Sequence, residues 1–507
     1  MSITKAAAGT KGWEWSDGLS LSVVLVGAGV RLYQWGLNRS LWLDEAYLAV
    51  NIVDRNAAGL AAPLEYNQSA PYLFLVITDV MTQLAGDGER VLRLVPLLAS
   101  LATLWLFWRL VRGVLPPWAV PVAVAAVAFG YRNLYYAQEL KQYSVEMLVV
   151  TGVLLLLLRM EVGAARRRFA ALAAVGGLAI FAAHTAPFVL AGAGLAVAWR
   201  RWRGEVAISW IQIGVTGLGW ALLFAVNYVW FIAPNYTNDL MQKFWAFAFP
   251  GWPVSAEAVR AWLVLTDEYL GYLGYLGGFK VMMVLLVLLG TVLAIARGRL
   301  VMLAAVVALL AYGVAVAAGK APFFGRLSMF LSPIVLLVAY YGLGEGLRGR
   351  PALLIGLAIV VAAFPSARAF SRCVRPIVSQ QPREVLAYFE RERRADEPAF
   401  VTFWMEPSVR YYLRGSPEAF KGMSVGSEAR IWEATTRRTG PPVRDADLDV
   451  ALREMAGVAA YRRFWVLEGN MERTRDAFVA RISERYACRV EKHVQLRGAA
   501  AYLFVRE

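Results

Sequence analysis

The sequence is poor in charge, cysteine and histidine. Only 18% of its 507 residues are charged, against about 25% in a soluble domain. That excludes an ordinary cytosolic enzyme and a disordered chain. Two cysteines, Cys373 and Cys488, exclude a cysteine-rich zinc domain and a multi-bridge disulfide scaffold. Of the two histidines only His184 falls in the apolar part, and a metal there would need Asp or Glu partners. His493 sits in a strand-like stretch and reads as surface. The sequence has no P-loop, no dinucleotide glycine fingerprint, no internal repeat and no low-complexity tract. A cleavable signal peptide is not expected either, because the apolar run from Leu19 is long enough to stay as a first membrane helix.

What the sequence has is apolar length. Hydrophobic residues make up 59% and mean hydropathy is +0.49, which implies a polytopic α-helical membrane protein. Eighteen tryptophans and 13% aromatics suit long membrane–water boundaries. The net charge of +15 does not point to nucleic acid, because the basic residues lie between apolar spans where topology explains them. Spans are expected near 18–36, 91–112, 115–134, 142–158, 169–184, 186–199, 206–231, 279–296, 300–318, 327–346 and 352–367. Ala70–Ala85 is a shorter apolar run broken by Thr78, Asp79, Thr82 and Gln83.

That run decides the topology. Suppose it lies in the outer interface and the N-terminus, with Lys5 and Lys11, is cytoplasmic. Then Arg109/Arg112, Arg159/Arg166/Arg167/Arg168, Arg200/Arg201/Arg203, Arg297/Arg299 and Arg348/Arg350 all face the cytoplasm, as the positive-inside rule requires. A crossing would turn every one of them outward. The expectation is therefore 11 spans, a large first outer loop over 37–90 and an extracytoplasmic C-terminus.

Composition changes near residue 368. Residues 369–507 carry 19 of the 37 carboxylates. The chain thus divides into a membrane domain, 1–368, and a small soluble α/β domain, 369–507. In the latter, helices are expected at Pro382–Arg394, near Pro407–Leu413 and at Thr474–Tyr486. Strands are expected at Ala399–Trp404 and Arg463–Leu467, with two more ending at Val505. Cys373 and Cys488 both fall here, as a bridge or as two buried thiols.

Polar residues of the membrane domain gather in three outer segments. Leu41-Trp42-Leu43-Asp44-Glu45-Ala46-Tyr47 places adjacent carboxylates just past the first span. One can act as a general base with the other orienting it, or the pair can simply start a helix with Asp44 as its cap. Tyr66-Asn67-Gln68-Ser69-Ala70-Pro71 offers Gln68 and Ser69 to a ligand, or is a capping turn. Tyr135–Tyr143 carries Gln138, Glu139, Lys141 and Gln142. On a helix Glu139 and Tyr143 would share a face; the alternative is an aromatic interfacial anchor. Lys320 and Arg326 flank an outer turn, where an arginine can hold a lipid phosphate or snorkel. Lys243 lies in the long outer loop 232–278, and Asp445-Ala446-Asp447 is a short Asp-x-Asp pattern in an acidic turn.

In order, these segments resemble the GT-C superfamily of membrane glycosyltransferases. They look closest to bacterial proteins related to protein O-mannosyltransferases and the lipid A aminoarabinose transferase. The resemblance rests on Leu41–Tyr47, Asn67–Pro71, the Gly86-Asp87-Gly88-Glu89-Arg90-Val91-Leu92-Arg93-Leu94-Val95-Pro96 stretch, Glu139–Ser144 and Phe324–Pro333. It covers roughly 20–370 and is strongest over 37–150. It implies an inverting hexosyl- or pentosyltransferase in a bacterial plasma membrane. Such an enzyme takes a sugar from a polyprenyl-phosphate donor and passes it to a glycan, lipid or protein acceptor at the outer face. By resemblance Asp44 is the base, and Glu45 and Glu139 orient the acceptor or a lysine. Arg326, Lys141 and Lys320 hold the donor phosphate, while Gln68, Ser69, Tyr143 and His184 bind substrate. Gln68 and Ser69 stand where the aminoarabinose branch has an acidic residue and a lysine. A divalent metal loses its support there, and no cofactor is otherwise implied. Two other functions fit the composition: a flippase of a lipid-linked sugar, and an inactive lipid-binding sensor. A flippase needs mid-span charges, which are few here. A nucleotide-sugar enzyme built on Asp445 and Asp447 would be active in the soluble domain alone.

Overall fold

The computed structural model describes residues 14–162, 165–236, 243–346, 375, 377–415, 421–426, 445–472 and 474–507. Contacts divide the chain into two compact units, Met1–Leu37 with Asn56–Pro376, and Asn38–Arg55 with Ile377–Glu507. The boundary expected near 368 left residues 38–55 with the membrane domain; here they group with the C-terminal segment.

The first unit is helical. Its helices Trp15–Gly36, Leu94–Val114, Ala119–Phe129, Tyr143–Val162, Ala165–Ala182, Ala186–Trp202, Trp210–Asn227, Gly278–Arg297, Leu300–Ala317 and Ser332–Gly346 follow the expected spans in order. The span expected at 352–367 lies outside the described residues. Among the described residues, six helical stretches are long and apolar enough to cross a membrane. Small residues set the closest packing. A Cβ on Gly192 would strike the Ala304 carbonyl, and one on Gly342 the Leu286 carbonyl, so backbones touch where water gives no driving force.

Polar contacts sort the two ends of this bundle. At one end Arg112 pairs with Asp17 at 2.6 Å, and Arg299 donates to Gly113 O at 3.0 Å and pairs with Glu161 at 3.2 Å. Arg200 donates to Gly298 O at 2.7 Å, Arg166 to Ala207 O at 3.2 Å, and Arg297 pairs with Glu345. The described basic clusters of the sequence therefore share one end, while Arg348/Arg350 lie outside the described residues. At the other end Trp35 Nε1 donates to Arg90 O at 2.9 Å and Arg90 donates to Gly36 O at 2.7 Å. Between Gly36 and Arg90 the chain thus leaves and returns at the same end. Its helix Tyr72–Ala85 has 14 residues, a rise of roughly 21 Å against a hydrocarbon core of about 30 Å.

One helix is broken. Ala119–Phe129 stops at Gly130, and a short helix Tyr131–Tyr136 follows, where the sequence suggested one span over 115–134. The break frees carbonyls inside an apolar bundle, and each needs a donor. Arg31, 1% exposed, supplies them: Nη1 donates to Ala128 O at 2.8 Å, Nη2 to Val127 O at 3.1 Å and Nε to Ser100 Oγ at 2.8 Å.

The second unit holds a five-stranded sheet of order β2-β1-β3-β5-β4. Its strands are β1 Ala399–Val401, β2 Met423–Val425, β3 Arg463–Gly469, β4 Cys488–Leu496 and β5 Ala499–Arg506. β1 runs parallel to β2 and β3, while β5 is antiparallel to both β3 and β4. β1 is buried throughout and β3 nearly so, while edge strand β4 alternates, as one-sided solvation requires. Val385, Leu386 and Phe389 of helix Pro382–Glu392 pack on Trp465, Leu467 and Leu503. Helices Glu406–Tyr412 and Arg475–Tyr486 match expectation; β2 and helix Asp445–Glu454 were not foreseen. Cys488 is a free, buried thiol, and Cys373 lies outside the described residues.

Buried Glu397 joins this sheet to its surroundings. Its carboxylate accepts from Trp465 Nε1 at 2.8 Å, Arg463 Nε at 2.7 Å and the Arg394 amide at 3.1 Å. Burial alone would raise its pKa, but these donors together hold it below the ordinary glutamate value. A depressed pKa stabilises the fold above the unfolded value, and that stability is lost as pH falls through the folded one. Hydrogen exchange of the β3 amides should therefore accelerate below the ordinary glutamate range, and Glu397→Gln should flatten that dependence. Arg31→Leu should destabilise the helical unit by about 3 kcal/mol or more, since it orphans Ser100, Val127 and Ala128. Thermal melts in detergent check this, with Arg31→Lys intermediate.

Candidate functional site

The outer segments meet in two groups, one in each unit. In the helical unit, residues 137–142 are a turn. The helical face expected to unite Glu139 with Tyr143 does not exist. Instead the Lys141 amide donates to Glu139 O at 2.6 Å, and the next helix begins only at Tyr143. The turn is almost dry: Glu139 is 0% and Lys141 6% exposed.

Lys141 Nζ donates to Gln68 Oε1 at 2.8 Å. Gln68 Nε2 in turn donates to Tyr66 O at 3.1 Å. Tyr66 and Asn67 both adopt positive φ, a strained turn that aims the following residues. Ser69 is exposed, with its Oγ 3.5 Å from His184 Nε2. The His184 amide faces the buried carboxyl of Glu146. Gln68, Ser69, Lys141 and His184 are thus gathered by two adjoining contacts.

A second set surrounds a pair of phenols. The hydroxyls of Tyr136 and Tyr272 are hydrogen-bonded to each other. Tyr136 packs edge-on to Tyr143 with centroids 4.8 Å apart. The Arg132 guanidinium lies 4.1 Å from the Tyr272 ring centre. Burial is the largest influence on Tyr136 and raises its pKa; Tyr272 and Glu139 raise it further and Arg326 opposes. Burial likewise pushes Tyr272 up to about 12, against the pull of Arg132 and Arg326. Both phenols are neutral donors at physiological pH. Arg326 also lies 5.8 Å from the Trp245 ring centre. Its loop is held by Tyr312, whose hydroxyl donates to Pro322 O at 2.6 Å and bonds Ser328 Oγ at 2.9 Å.

Glu139, Tyr143 and Arg326 therefore belong to one electrostatic neighbourhood. Lys320 does not join it: it is exposed after the Leu300–Ala317 helix and is not among the groups acting on Tyr136 or Tyr272. Sequence reasoning missed Tyr136, Tyr272, Arg132, Glu146 and Trp245 as site residues. The run Tyr131–Tyr136 carried a signal for two of them, but nothing marked Tyr272. Among the described residues no three His, Cys, Asp or Glu side chains are grouped as metal ligands.

Asp44 and Glu45 open the helix Leu43–Val53 in the second unit. Its cap is Trp42, two residues ahead of the Asp44 cap considered from sequence. Glu45, 0% exposed, accepts from the Trp42 amide at 3.4 Å. Asp44 in the same turn is half-buried. Both carboxylates lie where the helix dipole favours negative charge. The segment is pinned on either side: Leu41 N donates to Tyr412 Oη at 2.8 Å and Leu43 N to Gln380 Oε1 at 2.8 Å. Arg410 pairs with Asp54 at 2.7 Å.

No family model and no curated protein sequence matches the chain. Solved structures do. An oligosaccharyltransferase from Archaeoglobus fulgidus, complexed with Zn and sulfate, aligns at TM-score 0.53 and 12% identity, covering 95% of this chain and 72% of that one. The archaeal oligosaccharyltransferase AglB from that organism, with an inhibitory peptide and a dolichol-phosphate, aligns at 0.54 and 11%, covering 96% and 74%. ArnT from Cupriavidus metallidurans, bound to undecaprenyl phosphate, aligns at only 0.44 and 15%, covering 96% and 98%. The chain thus shares its fold with these archaeal oligosaccharyltransferases.

The Tyr136–Tyr272 bond ties the helix Ala256–Tyr272 to the turn bearing Glu139 and Lys141. Tyr272→Phe should cost about 1 kcal/mol and speed hydrogen exchange across 131–143. Lys320→Ala should leave that exchange unchanged.

Proposed function

We propose that the chain is an inverting GT-C glycosyltransferase, a hexosyl- or pentosyltransferase that uses a polyprenyl-phosphate sugar. The fold shared with the archaeal oligosaccharyltransferases carries this reading. The AglB structure with a dolichol-phosphate, and an oligosaccharyltransferase from the same organism tethered to an acceptor peptide, supply the donor and acceptor kinds by likeness. The acceptor here is a glycan, lipid or protein of the cell envelope.

Asp44 takes the proton from an acceptor hydroxyl. The hydroxyl oxygen forms a bond to the sugar C1 as the C1–O bond to phosphate breaks. The bonding electrons pass to the phosphate oxygen, and polyprenyl phosphate leaves. Negative charge grows on that oxygen, so fixed cations at that position lower the barrier. Arg326 and Lys141 fill this role, with Lys320 behind them. Tyr143, Gln68, Ser69 and His184 contact substrate, and Glu139 orients the acceptor or Lys141. Glu45 holds the turn that presents Asp44.

The domain division and orientation follow the same reading. Residues 1–368 form the membrane domain, and 369–507 form a soluble domain outside. The sharing of one bundle end by the described basic clusters supports a cytoplasmic assignment for that end under the positive-inside rule. The phenol-bearing end then faces outward in a bacterial plasma membrane.

Purified protein incubated with a panel of polyprenyl-phosphate sugars and acceptors should release free polyprenyl phosphate, followed by mass spectrometry. Asp44→Asn should lower release by at least about 100-fold without loss of folding, and Arg326→Gln by about 100-fold. Equal release by wild type and Asp44→Asn removes Asp44 from the mechanism.

A further inference from the structure

The turn that presents Asp44 is held from outside its own segment. Helix Leu43–Val53 begins after Trp42, whose indole is a donor only and has no acceptor for the amides of the first turn. A side chain 337 residues away fills that role: Gln380 Oε1 accepts from the Leu43 amide at 2.8 Å. Tyr412 Oη accepts from the Leu41 amide at 2.8 Å, and Glu45 takes the Trp42 amide between them at 3.4 Å. The three amides ahead of Asp44 thus have acceptors, and two of these acceptors come from the C-terminal segment.

Gln380 is itself fixed. Its Nε2 donates to Asn470 Oδ1 at 3.2 Å. The Gln381 amide donates to Arg497 O at 2.9 Å, and the Asn470 amide to Gly498 O at 2.9 Å. Gly498 lies between β4 and β5 with positive φ, and a Cβ there would lie 2.3 Å from Gln380 Cγ. Glycine is what lets this turn back the glutamine so closely. A line of contacts therefore runs from the ends of β3 and β5 through Gln380 to the residue before Asp44. Tyr412 closes helix Glu406–Tyr412, and Arg410 on that helix pairs with Asp54 at 2.7 Å. One helix of the C-terminal segment thus ties both ends of Leu43–Val53.

A general base must stand within hydrogen-bond reach of the hydroxyl it deprotonates. A displacement of about 1 Å can cost about 100-fold in rate. We propose that Gln380 and Tyr412 are positioning residues that set Asp44 for proton transfer, so that the C-terminal domain supplies part of the transfer site. This rests on the reading of Asp44 as the base.

The full-length protein in detergent tests this, given the donor of the polyprenyl-phosphate panel that it turns over fastest. Gln380→Met keeps the length of the side chain and removes its acceptor. It should lower kcat about 10- to 100-fold and leave the donor KM unchanged. Tyr412→Phe keeps the ring and should cause a smaller loss of the same kind. Asp44→Asn combined with Gln380→Met should match Asp44→Asn alone, because a residue acting through Asp44 then has nothing to act on. Arg489→Gln, exposed on edge strand β4, should turn over as wild type. Hydrogen exchange over residues 41–47 should speed in Gln380→Met and Tyr412→Phe while β5 keeps its protection. Should Gln380→Met lose protection in β5, Tyr412→Phe carries the test. Asp44-dependent turnover that these variants leave unchanged overturns the positioning proposal alone, as does a further loss on adding Gln380→Met to Asp44→Asn. Turnover of no donor, or equal turnover by wild type and Asp44→Asn, overturns the reading of Asp44 as the base and this proposal with it.

Discussion

A broken helix inside an apolar bundle is tenable only if its loose carbonyls find donors, and Arg31 is the group that provides them. Its fork reaches Ala128 O, Val127 O and Ser100 Oγ together. A lysine has a single ammonium and cannot span that geometry in one pose. The break lets the chain turn at Gly130, so that Tyr131–Tyr136 leaves the direction of the preceding helix. Arg132, Asn133 and Tyr136 all sit on that short segment. Asn133 even shares the Val127 carbonyl with Arg31. The polar side chains of this end of the bundle thus depend on a cation buried in the helices beside them.

The two ends of the bundle use charge differently. At the basic end arginines pair with carboxylates and cap carbonyls, as in Arg112–Asp17, Arg299–Glu161 and Arg200–Gly298. Such pairs lock helix ends and satisfy most of the donors they use. At the other end phenols, amides and a lysine are linked by neutral or singly charged contacts, among them Tyr136–Tyr272 and Lys141–Gln68. A hydrogen bond with a neutral partner on at least one side is exchanged for that of an incoming polar ligand at lower cost than an ion pair.

Much of this was legible in sequence and some was not, for identifiable reasons. Apolar runs give helices because burial dominates their energetics, so the order of the described membrane helices followed directly. The distribution of basic residues puts the Ala70–Ala85 run in the outer interface rather than across the membrane, and the Trp35–Arg90–Gly36 contacts bring its flanking chain back to one end. The break at Gly130 was hidden because Arg132 and Asn133 just beyond it read equally well as the polar end of one span over 115–134. Tyr272 was hidden because its partner Tyr136 is remote in sequence. The grouping of Asp44 and Glu45 with the C-terminal sheet depends on long-range contacts to Tyr412 and Gln380, which no local pattern encodes. Local patterns also misled: Glu139 and Tyr143 were joined by a helical period, but the chain between them is a turn.

The phenol pair places one neutral group, Tyr272, under the influence of Arg132, Arg326 and the Glu139 carboxylate together. Arg132 and Arg326 both act on Tyr272, and both would lower its pKa if burial did not outweigh them. A neutral phenol accepts this field through its ring face and its oxygen, yet adds no charge of its own. A carboxylate in its place would bind the guanidinium donors outright and leave the cluster neutral. With tyrosines as the support, the guanidinium donors of this cluster are not taken up by the phenols themselves, and charge interactions there are strengthened by the low polarity around them. An anionic group arriving there meets cations already oriented, and the cost of ordering them has been met in folding rather than at the moment of binding.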